Sequence, residues 1–192
     1  MKGTRRNGTF KEAFRHRMVF VYGTSGNREE NKWARNKARY DAESWYYRAN
    51  GAVDVVDDRD FRLERYPDRG VVLYGNADTN RAWASLMGDC PVQVRRGDVR
   101  IGDRSIAGTD LGAYLVWPRK DSETAGIAAV TGTGITGFRV AFANQYFAGG
   151  SGFPDFMIFG PEMLSAGAKG VRAAGFFDND WSLGRDFFLR DE

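Results

Sequence analysis

Met18-Val19-Phe20-Val21-Tyr22-Gly23-Thr24-Ser25-Gly26-Asn27 is the stretch on which the fold turns. Five apolar residues running into a glycine-rich loop read as a buried strand meeting a tight turn. Asn27 and Glu30 have capping-box spacing, in which the Asn side chain accepts from the third helical amide and Glu30 reaches back. The spacing therefore predicts a helix from about Arg28 to Ala49, stopped by Asn50-Gly51. Ala34, Ala38, Ala42 and Trp45 form its inward stripe, and Trp33, Tyr40 and Tyr47 flank that stripe at heptad spacing. Small residues facing in and large aromatics at the margin suit a helix lying close against a sheet.

Working outward, Val53–Asp57 and Val71–Gly75 read as further strands, the second followed by Asn76-Ala77-Asp78-Thr79-Asn80 and a short helix through Trp83 and Leu86. From Pro91 to Ala107 apolar and polar residues alternate around Gly97-Asp98 and Gly102-Asp103, the pattern of an antiparallel meander. Helix–strand alternation then resumes with Ala113–Trp117 and Ile127–Val130. Thr131-Gly132-Thr133-Gly134 leads into a helix near Phe138–Phe147, Asp155–Phe159 is the last strong strand, and Val171–Phe177 adds an edge strand. Continuous apolar strands joined through helices imply a mostly parallel sheet covered on both faces. The expected fold is a three-layer α/β domain, Rossmann- or flavodoxin-like, over residues 18–178, with the meander inserted at about 91–107. Residues 1–17 read as a basic arm or linker and 179–192 as a tail.

Composition narrows the chemistry. Of 192 residues 42% are hydrophobic, enough for a sizeable core, and no apolar run is long enough to cross a membrane. No secretory apolar segment follows Met1. A single cysteine, Cys90, excludes an internal disulfide and a Cys-rich zinc site, and a single histidine, His16, excludes a His-pair metal motif. Cys90 before Pro91 reads as a small hydrophobe. The net charge of +3 is uneven: residues 1–48 carry +7 and the remainder −4. A basic arm suits an anionic surface, but no basic stripe with interleaved aromatics continues into the body, which argues against nucleic acid.

Several strands end in glycine: Gly23-Thr24-Ser25-Gly26-Asn27, Gly75-Asn76 and Gly132-Thr133-Gly134. In an open parallel sheet such tips share the carboxyl edge, where ligands bind. Glycines there let backbone amides approach a phosphate or carboxylate, although tight strand-to-helix turns need glycine in any case. Gly132-x-Gly134-x-x-Gly137 matches the dinucleotide fingerprint, but the expected ribose-binding acid is missing; Asp155 sits at the wrong end of the next strand. There is no P-loop and no GxSxG nucleophile elbow. The acidic clusters Asp57-Asp58-Arg59-Asp60 and Asp178-Asn179-Asp180 read as solvated turns, so no metal or cofactor is expected. The aromatic group Trp33, Tyr40, Trp45, Tyr46 and Tyr47 exceeds what one helix needs for a core, and its outer members Trp33, Tyr40 and Tyr47 are candidates for an interface.

The order of landmarks resembles the region that follows the catalytic domain in large bacterial, planctomycete-type, prolyl-oligopeptidase-like α/β hydrolases. The similarity rests on Gly8–Phe14, Phe20-Val21-Tyr22-Gly23-Thr24, the Trp-rich helix, Leu73-Tyr74-Gly75-Asn76 with Asp78-Thr79-Asn80, the Arg96–Asp103 hairpin and Pro154-Asp155. It spans roughly residues 8–182 and its motifs are structural in character. Gly134-Ile135 stands where some relatives carry Gly-His, and Thr9 where proline is frequent. The resemblance implies that the Ser–Asp–His machinery lies in another domain, that this chain contributes no catalytic residue, and that its partner is the catalytic domain of the same parent protein. It further implies a secreted or periplasmic parent. The alternative from the residues themselves is an autonomous small-anion module using the glycine tips. A stand-alone enzyme using only carboxylates and arginines has no positive support.

Overall fold

A computed structural model describes residues 1–15, 17–142, 144–185 and 187–190. His16 lies outside the described residues. In chain order the strands and helices are β1 (Met18–Tyr22), α1 (Arg28–Ala49), β2 (Asp54–Asp57), β3 (Gly70–Tyr74), α2 (Trp83–Met87), β4 (Val92–Arg95), β5 (Asp98–Ile101), β6 (Arg104–Ala107), β7 (Gly112–Pro118), β8 (Gly126–Gly132), α3 (Ile135–Val140), β9 (Phe156–Phe159), α4 (Met163–Ala166), β10 (Val171–Gly175) and β11 (Phe188–Leu189).

The opening stretch folds as its residues dictate. Asn27 caps α1 with its side chain accepting from the Glu30 amide, and the Glu30 carboxylate accepts from the Asn27 amide, completing the capping box. Asn50 ends the helix in the left-handed region at φ 50°. α1 carries the chain from β1 to β2, which pair in parallel, and β3 flanks β1 on the other side.

The molecule is mixed α/β. Its main sheet has the order β11-β10-β9-β7-β8-β3-β1-β2, and β4-β5-β6 form a separate antiparallel sheet. Pairing is parallel from β2 through β1 and β3 to β8, then antiparallel from β8 through β7, β9 and β10 to β11. Six of the eight described strands therefore point the same way. The expected return to helix–strand alternation after the meander does not hold, because β7 and β8 are consecutive antiparallel partners. A strand buried on both faces is an apolar run whichever way it points, so its direction is invisible to periodicity.

Three layers exist, but the second outer layer is largely β. On one face Phe20, Val72, Tyr74 and Val130 pack against Trp33, Ala34 and Ala38 of α1 and Phe138 of α3. On the other, Val19, Val21, Leu73 and Leu115 pack beneath Val92, Val94, Val99 and Ile101 of the meander, with Trp83 and Met87 of α2. The meander's first turn is Arg96-Gly97, one residue earlier than expected, and its second is Gly102-Asp103.

The described residues of the N-terminal arm are not a solvated linker. Phe10 and Ala13 are fully buried in a 3-10 turn over Phe10–Phe14, and Phe10 stacks on Tyr114 at 4.9 Å. Arg6 donates from Nη1 to the carbonyls of Arg119, Ser122 and Ala125 at 2.7–3.0 Å. The arm's charges outnumber its aromatics, so composition favours a solvated segment, while the aromatics carry most of the burial free energy. The C-terminal segment is likewise built in: Trp181 is buried beside Trp117 and Phe177.

Candidate functional site

The glycine tips do come together. Gly23–Asn27, Gly75-Asn76 and Gly132–Gly134 follow β1, β3 and β8, three parallel neighbours. The crevice between β1 and β3, where an open sheet would receive a ligand, is filled by the chain itself. Asn80 donates from Nδ2 to the carbonyls of Val21 and Tyr74 at 3.0 and 3.1 Å. Gly23 donates to the Tyr74 carbonyl and Ser25 to that of Thr79. A Cβ on Gly23 would lie 2.3 Å from the Thr79 carbonyl oxygen, so close backbone packing is what this glycine serves.

A buried carboxylate occupies the place of an anion. Asp58, which follows β2, accepts from the Thr24 amide at 3.1 Å, the Thr24 hydroxyl at 2.5 Å and the Arg81 amide at 2.7 Å. Eight of the ten candidate residues (Gly23, Thr24, Ser25, Gly26, Asn27, Gly75, Asn76 and Thr133) donate their backbone N–H to a protein acceptor. At Gly132–Gly137 the first turn of α3 rests on the loop before β7, and a Cβ on Gly137 would sit 2.1 Å from the Leu111 carbonyl oxygen. The fingerprint spacing there serves a close approach of backbones.

Helical spacing gathers charge along the outer side of α1. Arg28, Lys32, Arg35 and Arg39 are exposed at i, i+4, i+7 and i+11, and none forms an ion pair among the described residues. Arg28, Lys32 and Arg35 line an open groove of about 610 Å³ beside Gly23 and Thr24. Such a face is favourably solvated on its own.

The other side of α1 is chemically richer. Lys37 and Asp41 are both buried and paired, Nζ to Oδ1, at 2.7 Å. Tyr74 donates to Asp41 Oδ2 at 2.9 Å, and Tyr146 donates to the same oxygen. The Lys37 ammonium lies 4.4 Å from the Phe142 ring centroid and 4.8 Å from that of Tyr146. Burial lowers the Lys37 pKa and raises that of Asp41, each effect opposed by the partner's charge. Neither residue stood out in the sequence. The available signal was register: Glu30, Ala34, Lys37, Ala38 and Asp41 share the buried side of the helix.

The aromatic candidates divide. Trp33 is buried, stacked on Phe138 at 4.6 Å, and is not part of any exposed face. Tyr40, Tyr46 and Tyr47 are 53%, 59% and 85% exposed, and Phe142, 42% exposed, meets Tyr40 edge-on at 5.6 Å. Cys90 is buried, which pushes its thiol up to about 12 and leaves it a poor nucleophile. Among the described residues no group of three or more His, Cys, Asp or Glu side chains is placed to hold a metal ion, and no helix is long and apolar enough to cross a membrane. No known family model matches the chain, and no curated protein matches it significantly.

Proposed function

We propose that this chain is a non-catalytic accessory domain of an α/β-hydrolase-type esterase or peptidase, docking on the catalytic domain through the aromatic end of α1. The observation that carries the reading is the exposure of Tyr40, Tyr46 and Tyr47 along the C-terminal half of α1, with Phe142 edge-on to Tyr40, while most of the other large aromatics among the described residues are buried. Clustered exposed aromatics are covered in complexes, where their rigid rings bury area at little conformational cost. The parallel β2-β1-β3 order with its crossover helix supports a Rossmann- or flavodoxin-like origin for that half of the sheet. The order of sequence landmarks supports the hydrolase as partner.

Isothermal titration against the catalytic domain of a prolyl-oligopeptidase-like hydrolase from the same genome tests the proposal. Saturable binding is expected, weakened at least about tenfold by Tyr40→Ser with Tyr47→Ser. The isolated chain is expected to leave p-nitrophenyl esters at the background rate. Enzyme-like turnover, or binding indifferent to both substitutions, overturns it.

A further inference from the structure

Between α1 and the segment after α3 lies a cleft of about 110 Å³, room for a group the size of a few water molecules. Its polar lining carries the donors of Lys37, Arg48, Ser44 and Asn144 beside the acceptors of Asp41 and Gln145. Lys37 supplies an ammonium that has one hydrogen-bond acceptor among the described residues, the Asp41 carboxylate. Both oxygens of Asp41 are already engaged, one by Lys37 and the other by Tyr74 and Tyr146. The Lys37–Asp41 charges cancel, and Arg48 at the cleft's edge, which donates from Nη2 to the Gln145 side-chain oxygen at 3.1 Å, adds one positive charge and keeps its other N–H groups for a ligand. Asn144 contributes a buried Nδ2 that completes no hydrogen bond among the described residues, although it neighbours the Tyr114 hydroxyl, and Ser44 a hydroxyl. A buried donor without an acceptor costs free energy that a ligand oxygen would recover. Tyr40 and Phe142 close the sides with ring surface.

We infer that this cleft binds a carboxylate, received by Lys37, Arg48 and the Asn144 amide. A flat, two-oxygen acceptor matches a guanidinium at the rim and separate N–H donors within. The site stands whether or not the neighbouring aromatic face docks a hydrolase domain. Two sources of the group are distinguishable: a free small acid, or the side chain of an acidic residue on a docked protein.

The experiment is a titration of the Asn144 side-chain amide resonances with sodium acetate against sodium chloride at matched ionic strength, and in parallel with the neutral-ended peptide acetyl-Gly-Glu-Gly-amide. A saturable acetate-specific shift is expected, at least about tenfold weaker in Arg48→Gln and unchanged in Arg35→Gln, which lies in the open groove on the other side of α1. Arg48 is exposed, so its variant retains the fold. Saturation by acetate assigns the site to a free acid, and saturation by the peptide alone assigns it to a docked side chain. No saturable shift with either probe, or equal titration of Arg48→Gln, overturns the inference.

Discussion

Asp155 shows how much a single residue can hold. Fully buried at the start of β9, it accepts from Lys2 Nζ at 2.5 Å, from the Thr9 amide at 2.5 Å and from the Phe177 amide at 2.8 Å. One carboxylate thus joins the N-terminal arm to the segment after β10. Replacing it by Ala leaves two amides without acceptors and a largely buried ammonium that has lost its counter-charge and keeps the Phe177 carbonyl. Asp155→Ala is expected to lose about 3 kcal/mol in urea unfolding. A loss within error of zero would mean that solvent reaches all three donors. In the sequence this residue is a ribose-binding candidate at the wrong end of its strand; its structural role depends on partners 22 to 153 positions away and has no local signature.

At the scale of elements, α1 was legible and the second half of the sheet was not. Capping is local: Asn27, Glu30 and Asn50 act within a few residues of themselves, so both ends of the helix could be read directly. Asn27→Ala is expected to lower stability by about 1 kcal/mol, measured by thermal or urea unfolding. Strand direction in β7 to β10 depends on tertiary pairing and left no trace in the apolar runs. The candidate site divided in the same manner. The excess of aromatics on α1 points to exposed Tyr40 and Tyr47, whereas nothing local marks Lys37 and Asp41 as buried, because charged residues default to solvent.

A second element-scale prediction concerns Glu30, which ties α1 to the meander. Its carboxyl is held below the usual carboxylate range chiefly by the hydrogen bonds from Arg96, at 2.7 and 3.0 Å. Because the folded value is depressed, this stabilisation is fully present above the unfolded value of about 4.3 and disappears as pH falls through the folded value. The stability difference between the wild-type chain and Arg96→Gln is expected to be constant near neutrality and to shrink below about pH 4. A difference that grows on acidification would contradict this sign.

For the whole molecule, the N-terminal arm belongs to the fold. It supplies Phe10, Ala13 and Phe14 to one core and Arg6 to the carbonyls of the 119–125 loop, and the Lys2 amide donates to the Asn179 carbonyl. A chain beginning at residue 18 is expected to lose its cooperative thermal transition in circular dichroism, because removing Phe10 opens a cavity under Tyr114 and Tyr146. An unchanged melting temperature would return the arm to the status of a linker. The aromatic end of α1 is the surface proposed to receive the partner. Amide hydrogen exchange, with and without the hydrolase catalytic domain, tests this most directly. Docking as proposed slows exchange across residues 40–48 and 144–147, and unchanged rates there with protection over the meander or the glycine tips would contradict it.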